Sequence, residues 1–169
     1  GAWTSKAIKE AKLFGDVEAI YDGKASEYTA IGDIAEWEVD PEAAYVYLCS
    51  NNTIHGTEFH EFPLTGDVPL VADMSSDIMS RPVNVDDFAL IFAGAQKNLG
   101  PAGMALVVIR KDLADRAPEN LPSIFKYKTH IEANSLYNTC PCFTIYTYML
   151  VTRWIKKMGL NALYQQNID

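Results

Sequence analysis

The chain has 169 residues, of which 49% are hydrophobic, and this is enough for one compact domain with its own core. A formal net charge of −8 and a pI of about 4.8 argue against nucleic acid or an anionic membrane as the main partner. No apolar run is long enough to span a bilayer and no signal peptide is recognisable. Because the first residue is not methionine, we expect that the chain either opens in mid-sequence, as a piece of a longer protein, or has been processed.

The first predicted element is an amphipathic helix over residues 5–14, which Gly15 ends. A short strand is predicted next, over residues 17–21. Four further apolar runs, rich in branched and aromatic residues, predict strands over residues 44–49, 70–73, 88–93 and 104–109. A second helix is predicted over residues 144–158, and Gly159 ends it.

Short apolar runs with irregular or helical connections indicate an α/β domain, in which a mostly parallel sheet is flanked by helices. Polar residues lie at or shortly after the ends of three of the predicted strands: the run 50–53 (SNNT), Asp73 and Lys97. In open α/β sheets, ligands bind at the edge formed by the carboxyl ends of the strands. The sequence therefore predicts a ligand site at that edge.

Lys97 follows a predicted buried strand, in the segment 93–103 (AGAQKNLGPAG). Small side chains leave room for a planar ring, and glycines let the backbone approach it. A lysine amine that is removed from water becomes a nucleophile toward an aldehyde. The segment alone fits two interpretations equally well: a lysine that binds an aldehyde cofactor, and a solvated lysine in a surface turn.

Asp73 ends a predicted apolar strand, where a carboxylate is costly to bury without a cationic partner. A protonated pyridine nitrogen is such a partner, and the carboxylate would keep that ring protonated as an electron sink. Because Asp73 and Lys97 follow successive strands, one can meet the ring nitrogen while the other bonds the aldehyde carbon. The alternative is that Asp73 caps a helix that begins near Ser75.

The cysteines, Cys49, Cys140 and Cys142, form neither a CxxC nor a CxxH pair. We interpret them as reduced thiols of an intracellular, cytoplasmic protein. Cys140 and Cys142 flank a proline, and the histidines are scattered along the chain. We therefore expect no metal site.

Five segments, in order along the chain, resemble the phosphoserine aminotransferase family, which belongs to the class V, fold-type I enzymes that use pyridoxal 5′-phosphate (PLP). These segments are GAWTSKAIKEAK (1–12), SNNTIHGTEF (50–59), VADMSSDIMSRPVNV (71–85), IFAGAQKNLGPAG (91–103) and SLYNTCPCFTIY (135–146). The AGAQKN and ADMSSD motifs are highly specific when they occur together. The resemblance implies part of the large domain of a fold-type I enzyme.

The resemblance assigns a role to each matched residue. Lys97 matches the lysine that holds PLP as an internal Schiff base and shuttles a proton, and Asp73 matches the partner of the pyridinium nitrogen. Trp3 matches the aromatic that stacks on the ring, Thr53 a threonine near the ring's 3′ oxygen, and Gln96 a contact to the phosphate. Without the resemblance, Trp3 would be read as a packing residue and Thr53 as a loop cap.

Asn138 and Thr139 match a pair that reaches the cofactor phosphate of the neighbouring subunit. The resemblance therefore implies a homodimer with shared active sites. On sequence alone, Asn-Thr before a proline is typical of a plain turn. The chain departs from the family at Cys140, where a proline is usual, next to these residues rather than at them.

The resemblance implies amino-group transfer between O-phospho-L-serine and 2-oxoglutarate, in serine biosynthesis. Family members are about twice as long, as expected for two-domain enzymes, so residues 1–169 would be a partial PLP-binding large domain. The N-terminal segment and the C-terminal small domain would be absent, and the 169 residues alone are expected to be inactive. We expect Arg81 to form a structural salt bridge rather than to bind substrate.

Two alternatives stay open at this point. One is a non-catalytic, truncated PLP-domain product that folds partly or binds a partner. The other is another class V PLP enzyme, such as a desulfurase or a serine–glyoxylate transaminase. The amino-acid sequences of the AGAQKN and ADMSSD motifs argue against this alternative.

Overall fold

The computed structural model describes all residues from Gly1 to Asp169. It contains six strands: β1 Val46–Cys49, β2 Asn51–Asn52, β3 Thr57–Glu58, β4 Leu70–Asp73, β5 Leu90–Gly94 and β6 Ala105–Ile109. The main sheet has the order β1-β4-β5-β6. Strands β1, β4 and β5 are parallel, and β6 runs antiparallel to β5. This confirms the predicted mostly parallel sheet and all four of the longer predicted strands.

Five α-helices surround the sheet: α1 Ala2–Ala11, α2 Lys111–Ala114, α3 Tyr127–Glu132, α4 Cys142–Met158 and α5 Leu160–Ile168. Short 3₁₀ turns lie at Gly23–Ser26, Ile34–Glu36, Val85–Asp87 and Ser123–Phe125. Gly159 separates α4 from α5 with a φ of +83°, a conformation that glycine adopts readily. None of the helices is both long enough and apolar enough to cross a membrane.

The hydrophobic core lies on one face of the parallel strands. Alternate residues of β1 and β4 are buried because successive side chains of a strand point to opposite faces. The core consists of Val46, Leu48, Val68, Leu70, Ala72, Met74, Phe88 and Ile91. A packed sheet of this kind fixes the positions of the loops that follow its strands.

Two predicted elements need correction. The predicted strand at residues 17–21 is wrong, since this segment joins no sheet. Instead, the ring of Tyr21 stacks on Trp37 with 5.2 Å between the ring centroids, and its hydroxyl accepts the N–H of Gly32 at 2.9 Å. Helix α1 begins and ends three residues earlier than predicted, and it leaves Phe14 exposed in the turn that follows.

Candidate active site

The carboxyl ends of β1, β4 and β5 meet at one edge of the sheet. In the strand register, Asp73 lies between Cys49 of β1 and Phe92 of β5. Thr53 follows β1 in the small antiparallel hairpin of β2 and β3, and Lys97 comes three residues after β5 ends. The fold therefore places the segments that carry Thr53, Asp73 and Lys97 at the same edge, as the sequence predicts.

Lys97 and Thr53 are in direct contact. The Nζ of Lys97 donates a hydrogen bond of 2.8 Å to the Oγ1 of Thr53. Both side chains are exposed, so the 169 residues alone do not remove the lysine from water, which is one of the two interpretations that the sequence left open. The amine is held in place and is accessible to a ligand.

Asp73 is half-buried and uses only one of its two carboxylate oxygens. Its Oδ1 accepts the backbone N–H of Ser75 at 2.9 Å and the Ser75 hydroxyl at 2.6 Å. The carboxylate thus caps a turn over residues 75–80, and no helix begins there. Its Oδ2 accepts no hydrogen bond within the chain, so it can receive a proton donor from a ligand.

Two titratable side chains beside Asp73 have raised pKa values. Burial raises the pKa of the Cys49 thiol to about 11, and the negative charge of Asp73 adds to this effect. Burial, together with Asp73, also raises the pKa of Tyr47. Both neighbours therefore stay neutral at pH 7.

A buried hydrogen-bonded pair connects the end of β1 to the turn after β4, and the sequence did not predict it. The hydroxyl of Ser50 lies 2.5 Å from Oδ1 of Asp77 and 3.1 Å from the carbonyl oxygen of Asp73. Both side chains are buried. Burial raises the pKa of Asp77 to about 6, with Glu58 acting in the same direction and the Ser50 hydrogen bond and Arg81 opposing it.

The lysine loop, residues 94–98, is fastened to the same turn at two points. The N–H of Gly94 donates to Oγ of Ser75 at 3.0 Å, and the side-chain amide of Asn98 donates to the carbonyl oxygen of Ile78 at 2.6 Å. Sequence reasoning missed these links. The only signal was the Asp-x-Ser pattern at Asp73, which is typical of a side-chain-capped turn.

Trp3 lies in the first turn of α1, whose start packs on the hairpin. A Cβ at Gly1 would lie 2.6 Å from the side chain of Asn52, the residue before Thr53. The Trp3 ring is 46% exposed, and the ammonium of Lys6 lies 4.6 Å from its centroid. The helix start thus reaches the edge, with the ring open to a ligand.

Gln96 is exposed beside Lys97 in the lysine loop. A Cβ at Gly94 would lie 2.5 Å from Oε1 of Gln96, so the glycine provides the space in which this amide folds back over the loop. The amide makes no hydrogen bond within the chain, which leaves its donors and acceptor available.

Asn138 and Thr139 are exposed in the loop before α4, and neither side chain makes a hydrogen bond. The structure does not connect them to Lys97 or Asp73 of the same chain. The helix α4 that follows their loop is linked to the region beyond Lys97 through Thr144, whose hydroxyl donates to the carbonyl oxygen of Ala102 at 3.1 Å.

The arginines of the chain are either paired or distant in sequence from this edge. Arg81 is buried, its Nε lies 2.9 Å from Oε1 of Glu58, and it also donates to the carbonyl oxygen of Phe59. This confirms the expected structural salt bridge. Arg110 and Arg116 pair with Asp112, and Arg153 lies on α4. No group of three or more potential metal-ligating side chains is present.

A family model for class-V aminotransferases matches residues 14–169. The chain belongs to this family. Among curated relatives, the phosphoserine aminotransferase of Lysinibacillus sphaericus is 50% identical over 168 residues, which are 99% of this chain and 46% of that protein. The phosphoserine aminotransferase of Geobacillus kaustophilus is 51% identical, with the same coverage.

Solved structures of class-V aminotransferases share the fold. The phosphoserine aminotransferase from Bacillus circulans subsp. alkalophilus superimposes with a TM-score of 0.95 at 48% identity, covering 99% of this chain and 46% of that one. A PLP-bound phosphoserine aminotransferase from Trichomonas vaginalis gives a TM-score of 0.83 at 35% identity, covering 99% and 48%. The chain therefore spans about half the length of the relatives it matches.

Proposed function

We propose that these residues form the central part of a PLP-dependent aminotransferase that transfers an amino group between O-phospho-L-serine and 2-oxoglutarate. One observation carries the proposal: Lys97 Nζ lies 2.8 Å from Thr53 at the strand edge that also carries Asp73. The identity of about half the residues to phosphoserine aminotransferases supports the choice of substrate pair.

The residues present fit PLP. The accessible amine of Lys97 suits the aldehyde of the cofactor. The Asp73 oxygen without a hydrogen bond suits the ring nitrogen, and the Thr53 hydroxyl, which lies within reach of the amine, suits the ring oxygen. When bound, PLP supplies an aldehyde that carries the amino group and a ring that withdraws electrons from the reacting carbon. The residues that would hold it are Lys97, Asp73, Thr53, Trp3, Gln96, Asn138 and Thr139.

Lys97 would act as both anchor and catalytic base. Its Nζ would hold the cofactor covalently and, once released by the substrate amine, would move a proton between carbon atoms on either side of the transferred nitrogen. Thr53 Oγ1 orients Nζ through the observed hydrogen bond. Asp73 would keep a proton on the ring nitrogen through Oδ2.

Trp3 and Gln96 would provide non-covalent contacts. The exposed indole of Trp3 offers an apolar face for stacking, and the free amide of Gln96 offers N–H donors to a phosphate. Asn138 and Thr139 would donate to the phosphate in the neighbouring subunit of a homodimer. Their exposure and lack of hydrogen-bond partners support this role.

Substrate selection would rest on groups beyond these residues. Both substrates carry carboxylates, which arginine side chains commonly bind. Arg81, the arginine that best matches the family, already forms a salt bridge with Glu58. We therefore propose that residues 1–169 are a partial large domain and that they do not transaminate alone. We further propose that the whole protein acts in the cytoplasm, in serine biosynthesis.

The test is a half-reaction of the full-length, PLP-loaded protein. Mixing it with O-phospho-L-serine, without 2-oxoglutarate, should yield about one 3-phosphohydroxypyruvate per site, since the amino group stays on the enzyme in a ping-pong cycle. Added 2-oxoglutarate should then yield glutamate. Unphosphorylated serine and cysteine are the controls. Sulfide release from cysteine, or no keto acid from phosphoserine, would contradict the proposal.

A further inference from the structure

We propose that Ser75 is a positioning residue, which fixes the Asp73 carboxylate toward the cofactor and ties it to the lysine loop. This inference rests on the proposed function, because it concerns how the same site holds a ring nitrogen. Ser75 itself touches neither Lys97 nor, in this account, the cofactor.

Two hydrogen bonds from Ser75 converge on one oxygen of Asp73. The backbone N–H and the hydroxyl lie 2.9 Å and 2.6 Å from Oδ1. Hydrogen bonds to a carboxylate are stronger than those between neutral groups. With Oδ1 held twice, rotation of the carboxylate is restricted, while Oδ2 accepts no hydrogen bond within the chain. The carboxylate is thereby pre-organised for a single donor.

The same hydroxyl connects Asp73 to β5. While it donates to Asp73, the Ser75 oxygen accepts the N–H of Gly94 at 3.0 Å. One residue earlier, the N–H of Met74 donates to the carbonyl oxygen of Phe92 at 2.8 Å. The segment after β4 is therefore fastened to β5 at two successive positions, directly before the loop that carries Lys97.

This double role distinguishes Ser75 from the neighbouring hydroxyls. Ser76 bonds Asn51, and Ser80 donates to the backbone carbonyl of Asp77 at 2.6 Å. Ser75 alone joins the Asp73 carboxylate to the backbone of β5. Ser80 is half-buried in the same turn and is the matched control, because its hydroxyl also stabilises the turn without touching Asp73 or β5.

The experiment is a double-mutant cycle on the full-length protein, with the dissociation constant for PLP as the readout. Ser75→Ala should raise this constant about tenfold, the factor expected for losing a hydrogen bond to a charged group. In an Asp73→Ala background, Ser75→Ala should change it less than about twofold, because the group through which Ser75 acts is gone. Ser75→Thr, which keeps a hydroxyl, should restore most of the affinity, and Ser80→Ala should leave it unchanged.

Equal effects of Ser75→Ala with and without Asp73 would overturn the proposal, as would an unchanged constant with only a lower melting temperature of the PLP-free protein. If Ser75→Ala fails to fold, Ser75→Cys gives the same cycle with a weak donor of similar size. A wild-type protein that does not bind PLP would refute the proposed function. Binding with additive substitutions would refute only the role of Ser75.

Discussion

The ammonium of Lys97 lies 2.8 Å from the hydroxyl of Thr53, although 44 positions separate the two residues in the chain. This hydrogen bond joins the loop after β5 to the hairpin after β1, and it crosses over the end of β4, where Asp73 lies between them in the strand register. The order of strands in the sheet thus assembles the site.

The Thr53 hydroxyl should matter more than the rest of its side chain. Thr53→Ala in the full-length protein should raise the dissociation constant for PLP about threefold to tenfold, the effect of losing one hydrogen bond. Thr53→Ser should stay within about twofold of wild type, because it keeps the hydroxyl. Equal losses in the two variants, measured by equilibrium dialysis with PLP, would show that the hydrogen bond is not what positions the amine.

Arg81 should contribute to the stability of the folded protein. Arg81→Ala leaves Glu58 and the Phe59 carbonyl without their buried partner, and it should cost about 2–4 kcal/mol of unfolding free energy. Arg110→Ala is the matched control. Its ion pair with Asp112 is about half exposed and screened by water, so its loss should cost much less unfolding free energy than the loss of Arg81. Denaturant unfolding of the full-length variants measures both, and equal costs would contradict this account.

Asp77 should make stability depend on pH. Its pKa of about 6 exceeds the roughly 3.9 of an unfolded aspartate, so the folded protein binds this proton more tightly. The stability contributed by protonated Asp77 is complete below about pH 4 and is lost as the pH rises through 6, by about 2–3 kcal/mol in total. Asp77→Asn stays neutral, so its melting temperature relative to wild type should rise between pH 5 and pH 8. A difference in melting temperature that does not change with pH would contradict the raised pKa of Asp77.

Asn138 and Thr139 should serve the partner's site, which subunit mixing can test. Lys97→Ala subunits are mixed equally with subunits carrying Asn138→Ala and Thr139→Ala, and the dimers are allowed to exchange. Half of the dimers are then mixed, and one of their two sites is intact, so about a quarter of wild-type transamination should appear. Activity that stays at the mean of the two separate variants would contradict a shared site.

The strands and the edge that carries the site could be predicted because they depend on local patterns. The apolar runs that became β1, β4 and β5 each end in polar residues, and this pattern located Asp73 and Lys97 correctly at one edge. The run at residues 17–21 has a similar composition but joins no sheet. Whether an apolar run finds a strand to pair with depends on tertiary context, which composition does not contain.

The supporting contacts could not be predicted for the same reason. The Ser50–Asp77 and Ser75–Gly94 hydrogen bonds join residues 27 and 19 positions apart, and they exist only because the strands are packed side by side. The sequence also leaves open whether Lys97 is removed from water, and the side chain is exposed in these 169 residues. The shielding of a lysine depends on what covers the edge, which a local motif does not specify.

The most direct test of the central claim is borohydride reduction of the PLP-loaded, full-length protein, followed by peptide mass mapping. The account predicts that reduction abolishes the cofactor's visible absorbance band and leaves the added cofactor mass on the peptide that contains Lys97. The Lys97→Ala protein should carry no such mass. A reducible cofactor adduct at the wild-type level in Lys97→Ala, or a cofactor mass on another lysine, would contradict the assignment.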